Sequence, residues 1–285
     1  MNSIDEVKKF FDSFICVPLR DLSDVENKLN SFSSTFRNNT LGNYLKNEAV
    51  DDDKAGKTCV YTILEPESQK IVCFFSLRCG AVFDTLEEDD ALRELDTDEL
   101  FLLKELEKTR NDNFETYTQM CQLYKKEHPK GGMIIKIVER RATRIKDETS
   151  SSCIDVMNSH PSIEIQHFCR CDDHIYTLPE EIKKFPLGFG LFWQIIIPKI
   201  KEISNLIGCE YLYLFAADKS DDDERHLVKH YVDDLRFNQA EDLGLTTARP
   251  EDDQKCWSLI QRISCLDIEC ETAWNIVSDI SDDFD

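Results

Sequence analysis

The stretch FPLGFGLFWQ (185–194) sets Gly188 and Gly190 one residue apart, directly ahead of an apolar run. A Gly-x-Gly turn at a helix start presents backbone N–H groups that no side chain shields, at the positive end of the helix dipole. That chemistry suits an anion, and a phosphate group above all. Two phosphate motifs fail on residue identity. A dinucleotide fingerprint needs a third glycine where Trp193 stands and a strand immediately before the first, and a nucleotide P-loop needs Gly-Lys-Ser/Thr where Gly190 is followed by Leu191 and Phe192.

Upstream, SIEIQHFCR (162–170) carries Glu164 and His167, two side chains able to take a proton. Strict alternation along a strand sets them on opposite faces, so at most one of them points toward any given pocket. The wider segment HPSIEIQHFCRCDDH gathers His160, His167, Cys169, Cys171 and His174. A structural zinc site brings a second spaced ligand pair from elsewhere in the chain, none is visible, and no metal is expected.

Composition narrows the setting. The 285 residues carry 56 acidic against 34 basic side chains, a formal net charge of −22. Phosphate binding along a nucleic-acid backbone wants a basic face, so that partner is argued against, while a cationic substrate would be drawn in. Acidic runs at 51–53, 87–90, 221–224 and 251–253 equally serve to solvate a surface, and the basic stretch Lys136, Arg140, Arg141, Arg144, Lys146 reads as a solvated strand face. The start MNSIDEVKKFFDSFICVPL is not leader-like, and no segment is long and apolar enough for a membrane span, which together predict a cytoplasmic protein without a membrane partner. Twelve cysteines without a CxxC pair then read as reduced, mostly buried thiols, none of them a nucleophile.

Positioning elements follow from periodicity. Val7, Phe10, Phe11 and Phe14 share one helix face, and Leu22, Val25, Leu29 and Phe32 another. KTCVYTILE (57–65) and KIVCFFSLRCGAVF (70–83) form a hairpin around PESQ. Residues from Asp84 to about 130 turn Leu- and Glu-rich with helical spacing and end at HPKGG, a helical insertion. MIIKIVERRATRI is expected to return to a strand. A polar loop leads to the strand 162–170, a helix 191–207 kinked at Pro198 and closed by Gly208, the buried strand CEYLYLFAAD (209–218), a helix RHLVKHYVDDL, and strands near 237–246 and 255–263. Residues 1–265 are expected to make one domain, with 266–285 an acidic, helix-like extension.

Strand, loop, Gly-x-Gly, helix, parallel strand: over roughly residues 40–265 this order resembles the acetyl-CoA-dependent N-acetyltransferase superfamily, GNAT. The likeness rests on the hairpin, IEIQHFC, LGFGLFWQIIIPKI, CEYLYLFAAD, and HLVKHYVDDLRF with its tyrosine ahead of a Gly-Phe-type ending. It implies an α/β (α+β) fold with a mostly antiparallel central sheet, flanking helices, and central parallel strands 162–170 and 209–218 that splay apart. It also implies acetyl-CoA as co-substrate, its pyrophosphate on the amides of Leu187, Gly188, Phe189, Gly190 and Leu191, and its pantetheine arm along Phe168, Cys169 and Arg170.

The reaction so implied is direct attack of an amine on the thioester. Glu164 is the first candidate for the base, His167 the second, and Tyr231 the acid for the leaving sulfur, with N–H groups near Phe168 and Cys169 stabilising the oxyanion. Two positions depart from the family: Phe185 stands where it has Arg or Gln, with Lys183 or Lys184 as replacements, and Asp234-Leu235-Arg236-Phe237 replaces Gly-Phe with one residue more after Tyr231. The acceptor is an amine, on a small molecule such as a polyamine or aminoglycoside, on aminoacylated RNA, or on a protein lysine; a homodimer is compatible with the resemblance. The alternative is a non-catalytic GNAT-fold module, an acyl-CoA sensor or an interaction scaffold.

Overall fold

The computed structural model describes residues 4–34, 40–85, 95–144, 156–172, 185–217, 225–248 and 256–282. The acidic runs at 87–90, 221–224 and 251–253, together with Lys146, His174, Lys183 and Lys184, lie outside them. The chain forms two compact units, Met1–Val82 with His160–Asp285, and Phe83–Ser159.

The first unit is built on an eight-stranded, mostly antiparallel sheet in the order β1-β2-β3-β4-β5-β8-β6, with β7 paired to β3. Its strands are β1 (Ile15–Pro18), β2 (Cys59–Leu64), β3 (Ile71–Thr85), β4 (Val156–Arg170), β5 (Tyr211–Ala217), β6 (Asn238–Gln239), β7 (Leu245–Thr247) and β8 (Cys256–Arg262). The β2–β3 hairpin forms as its β-branched, aromatic composition predicts, with a bulge at Ile63/Leu64. β4 and β5 are parallel neighbours.

One face carries α1 (Ile4–Asp12) and a long helical stretch made of α8 (Leu187–Leu191), a π-turn (Phe192–Ile196) and α9 (Ile197–Ile207). Phe11, Phe14, Phe189, Phe192, Trp193, Ile196 and Ile200 meet Ile63, Cys73, Phe75, Ile163, Ile165, Leu212 and Leu214 there. α2 (Val25–Asn30), α3 (Leu41–Asn47) and α4 (Ala49–Lys54) serve the opposite face, where Leu29, Phe32, Leu45 and Ala49 join Val60, Leu64, Ile71 and Phe74 in a second core. These are called below the α8 face and the α3 face.

Three expectations change. The helix starts at Leu187, so both glycines lie inside its first turns and not in a loop ahead of it. Pro198 does not stand against an α-helical turn that needs its missing N–H: the wider π-turn, closed by Ile197 N donating to Phe192 O, ends just before it, and the proline falls at the start of α9. Gly208 caps that helix at φ 69, as its position predicts. Residues 133–144 of MIIKIVERRATRI are helical and not a strand, which puts Lys136, Arg140, Arg141 and Arg144 on a helix too. They belong to α7 (Gly131–Arg144), which completes a three-helix unit with α5 (Thr97–Asp112) and α6 (Phe114–Glu127). Ile134, Ile137 and Val138 are buried with Leu103, Leu106 and Tyr117, a helical spacing that overrides the β-branched composition. A capping box at Asp96 and Glu99 starts α5.

The segment after 265 contributes to the first unit's core. α11 (Leu266–Asp282) buries Trp274 against Phe189 (5.0 Å between ring centres), Phe185 (5.9 Å) and Phe11 (6.2 Å). The Gln194 amide, oriented to satisfy both neighbours, donates to Asp12 Oδ1 and accepts from Trp274 Nε1, each at 3.0 Å. Gly190 is what admits this packing, because a β-carbon on it would meet the Phe11 ring at 2.2–2.4 Å. Gly190→Ala is therefore expected to cost about 1–3 kcal/mol in urea unfolding through overpacking, and the double variant with Phe11→Leu to recover part of that loss.

Candidate functional site

β4 and β5 share only four pairs, Ser162↔Tyr211 through Ile165↔Leu214. Beyond them β5 continues to Ala217 along β8, and β4 continues to Arg170, so the parallel ladder closes while both strands run on. The backbone edges of β4 and β5 that face each other past that point do not pair with one another.

At the same place β4 breaks its alternation. Ile163 and Ile165 pack on the α8 face, and Glu164 on the α3 face beside Arg78 and Tyr213. His167 also bonds on the α3 face, while Phe168 returns to the α8 face against Phe192 (6.0 Å). An even step from Glu164 would be needed to reach the same face, and three residues supply it only if one is extra, the signature of a bulge between Ile165 and His167. Contrary to strict alternation, Glu164 and His167 therefore share a face.

That face carries a polar row across three strands. Glu164 Oε2 accepts from Arg78 Nε and from Tyr213 Oη, both at 2.8 Å. Gly80 on β3 makes the second contact possible, since a β-carbon there would fall 2.2 Å from the Tyr213 hydroxyl. Burial, then the Glu164 charge, holds the Tyr213 phenol protonated well above its usual range. His167 Nδ1 lies 2.8 Å from Ser76 Oγ, and its ring stacks on Tyr44 at 3.9 Å. Burial, with the Arg78 charge adding to it, lowers the His167 pKa to about 4, so the ring is neutral at pH 7. The Tyr44 hydroxyl is buried without a hydrogen-bond partner among the described residues, and burial followed by Asp52 and Glu48 pushes its pKa up to about 12.

Tyr231 stands on the other side, packed against the α8-face core and edge-on to Phe237 (5.9 Å). Burial raises its pKa, as do the nearby thiols of Cys169 and Cys73, and its hydroxyl has no partner among the described residues. The extra residue between Tyr231 and Phe237 is absorbed locally. α10 (His226–Lys229) runs into a π-turn at His230–Asp234, Phe237 N donates to Tyr231 O at 3.0 Å, and Arg236 takes the left-handed conformation (φ 61) that a glycine would occupy.

At the start of α8, Gly190 N is already bonded to Pro186 O (3.2 Å) and its Cα faces Phe11, so this glycine serves packing. Leu187, Gly188 and Phe189 occupy the positions whose amides have no intrahelical acceptor, and a β-carbon on Gly188 would meet nothing within 4 Å. Phe185 is turned into the core against Trp274. Cys169 is buried on the α3 face and Arg170 is exposed. The remaining members of the histidine and cysteine segment go separate ways: His160 Nδ1 pairs with Glu210 Oε2 at 3.0 Å, and Cys171 N donates to Val72 O at 2.9 Å. Thiols such as Cys73 and Cys16, the latter at about 11, are held protonated by burial and are poor nucleophiles. Sequence reasoning missed Arg78, Tyr213, Tyr44 and Ser76; only the even spacing of Ser76, Arg78 and Gly80 along β3 hinted at a polar row.

No helix among the described residues is long and apolar enough to cross a membrane. No protein-family model matches the chain, and no curated protein matches it in sequence. Among solved structures it is similar to a mutant of the AtaT toxin, at 12% identity and TM-score 0.45 over 90% of this chain and 93% of that one. It is also similar to AtaT complexed with acetyl-methionyl-tRNAfMet (10%, 0.43, 90% and 98%) and to a mutant of KacT (8%, 0.42, 89% and 97%).

The histidine leaves a mark on stability. Its pKa is depressed on folding from 6.5 to about 4, so the unfolded chain binds the proton first. The contribution is complete above pH 6.5, declines as pH falls toward 4, and is constant below. Unfolding free energies measured across this range should fall more steeply for the wild type than for His167→Gln.

Proposed function

We propose that this chain transfers an acyl group, acetyl first, from acyl-CoA to an amine by direct attack. The observation that carries this reading is the parallel β4–β5 pair that parts after four residues, with proton-handling side chains on opposite faces of the parting. A thioester needs such an opening: a place between strands where backbone N–H groups are not consumed by a ladder and water is kept out.

The residues fit the nucleotide end of that donor in part. The amides of Leu187, Gly188 and Phe189 would hold the diphosphate at the mouth of the helix, with Gly188 leaving the approach clear. Phe185 gives no side-chain contact to it, because its ring is used in the core. The backbone of Phe168, Cys169 and Arg170, past the end of the β5 ladder, would pair with the pantetheine arm. The thioester supplies the activated carbonyl, and the chain's own groups handle the protons.

The acceptor amine would enter from the α3 face. As the C–N bond forms, the adduct's N–H proton, more acidic than that of the free ammonium, passes to a neutral acceptor. His167 suits this once Nδ1–H donates to Ser76 and Nε2 keeps its lone pair. Glu164, whose Oε2 already accepts two hydrogen bonds, holds Arg78 in place. As the C–S bond breaks, the departing thiolate takes its proton from Tyr231 on the α8 face, a phenol whose raised pKa keeps it protonated.

Phe185 also favours a second reading, a module that binds acyl-CoA weakly or not at all and acts as a sensor or scaffold. Thermal unfolding with and without acetyl-CoA, followed by thiol release with a panel of amines, separates them. A raised midpoint with turnover supports the transferase, a raised midpoint without turnover on any amine supports a sensor, and an unchanged midpoint supports a scaffold. Gly188→Asp, which sets a carboxylate into open space, should leave the ligand-free midpoint unchanged and abolish the acetyl-CoA shift. Tyr231→Phe should lower kcat by about a hundredfold with little change in acetyl-CoA binding.

A further inference from the structure

Arg78 is half of an ion pair whose other half is buried: its side chain is 39% exposed and that of Glu164 4%. The contact uses Nε alone. Among the described residues Nη1 and Nη2 take no hydrogen bond, so the planar outer edge of the guanidinium, two parallel donors, faces away from Glu164 unused. Glu164 is itself clamped by Tyr213, and Gly80 gives up its side chain so that Tyr213 can reach. Three strands thus hold one guanidinium in one orientation, beside Glu164↔Tyr213, the last pair but one before β4 and β5 part.

A guanidinium steadied through Nε and open at its Nη edge has the geometry for bidentate binding of an oxyanion. Charge counting selects among oxyanions. Arg78 and Glu164 together are neutral, so a phosphate dianion would leave two uncompensated negative charges beside a buried carboxylate, whereas a zwitterion adds none. Resting on the transferase reading above, we propose that Arg78 binds the carboxylate of the acceptor, and that the acceptor is a free amino acid whose amine is thereby carried toward the parting of β4 and β5. The reach of an amino acid is short, and Ser76, which bonds His167, stands two residues from Arg78 on the same face of β3. Arg78 is then a specificity residue, and Glu164 and Tyr213 are positioning residues that act through it.

The test uses the full chain and three matched sets of probes: free amino acids, the same amino acids as carboxamides, and the corresponding hydroxy acids, which keep the carboxylate and lack the amine. With acetyl-CoA, at least one amino acid should show a KM lower than its carboxamide by about tenfold to a hundredfold, the range for a charge-assisted hydrogen-bonded pair. Arg78→Gln should erase that ratio by raising the KM of the acid and not of the amide, and Arg78→Lys should keep only part of it. Glu164→Gln and Tyr213→Phe should shrink the ratio by raising the KM of the acid more than that of the carboxamide. Without acetyl-CoA, the hydroxy acid should raise the thermal midpoint of the wild type and not of Arg78→Gln.

Equal KM values for acid and amide in the wild type, or a preference that survives in Arg78→Gln, would overturn the assignment, as would a phosphorylated amine preferred over every amino acid. If no amine of any kind releases thiol while the hydroxy acid still stabilises the wild type through Arg78, the carboxylate site stands and the transferase reading falls. Turnover on amines with no carboxylate preference does the reverse.

Discussion

One surplus residue in β4, between Ile165 and His167, is the feature on which the rest of the site depends. A parallel ladder needs both strands to keep the same rise and the same facing, and a bulge denies that to one of them. The pairing with β5 ends at Ile165↔Leu214, where the slip begins. The same slip turns His167 onto the face that already holds Glu164, and turns Phe168 onto the opposite one against Phe192. Opening the sheet and gathering the polar groups beside the opening are one event in the backbone.

An opening in a sheet is useful only if what lies behind it is rigid. Here the start of α8 is held by an aromatic cluster drawn from three separate parts of the chain: Phe11 from α1, Phe185 and Phe189 around the turn, Trp274 from α11. Gly190 is spent on letting Phe11 in, and Gln194 ties Asp12 to Trp274 across the π-turn. The free amides of the first turn are therefore presented from a packed support, and the side chain at 185 is occupied in making it. The two π-turns belong to the same pattern. Each widens a helix by one residue where an α-turn would conflict, with Pro198 in one and with the register of Tyr231 in the other.

Much of this was legible in the sequence because it is local. Composition gave the hairpin, the buried β5 and the cap at Gly208, and the order of elements gave the parallel central pair. What stayed hidden is what alternation and composition cannot carry. A bulge leaves no mark in a string that reads as regular strand, so strict alternation sets Glu164 and His167 on opposite faces. MIIKIVERRATRI has strand composition, and only burial of Ile134, Ile137 and Val138 on one side reveals the helix. Gly188 and Gly190 read as one motif, yet one faces open space and the other an aromatic ring, a difference decided by Phe11, some 180 residues away in the sequence. Tyr213 had no signal and Arg78 only its even spacing with Ser76 and Gly80, since each is ordinary in its own strand and gains meaning only through Glu164.

The Arg78–Glu164–Tyr213 row is difficult to explain as a stabilising device. Burying a carboxylate costs several kcal/mol before any partner is counted, and replacing a buried ion pair with apolar groups of like volume is commonly neutral or favourable. This sheet face has apolar residues around the row, Leu64 on β2, Phe74 and Val82 on β3 itself and Ile260 on β8, so an apolar solution was at hand. The chain instead leaves β3 without a side chain at Gly80 and holds a phenol protonated against a carboxylate. The arrangement is also locally neutral in a chain whose net charge is −22. A general field of that sign attracts cations to the whole surface and selects nothing. Selection has to come from a place where the field is cancelled and a directed pair of donors remains, and the outer edge of Arg78 meets both conditions beside the point where the sheet opens.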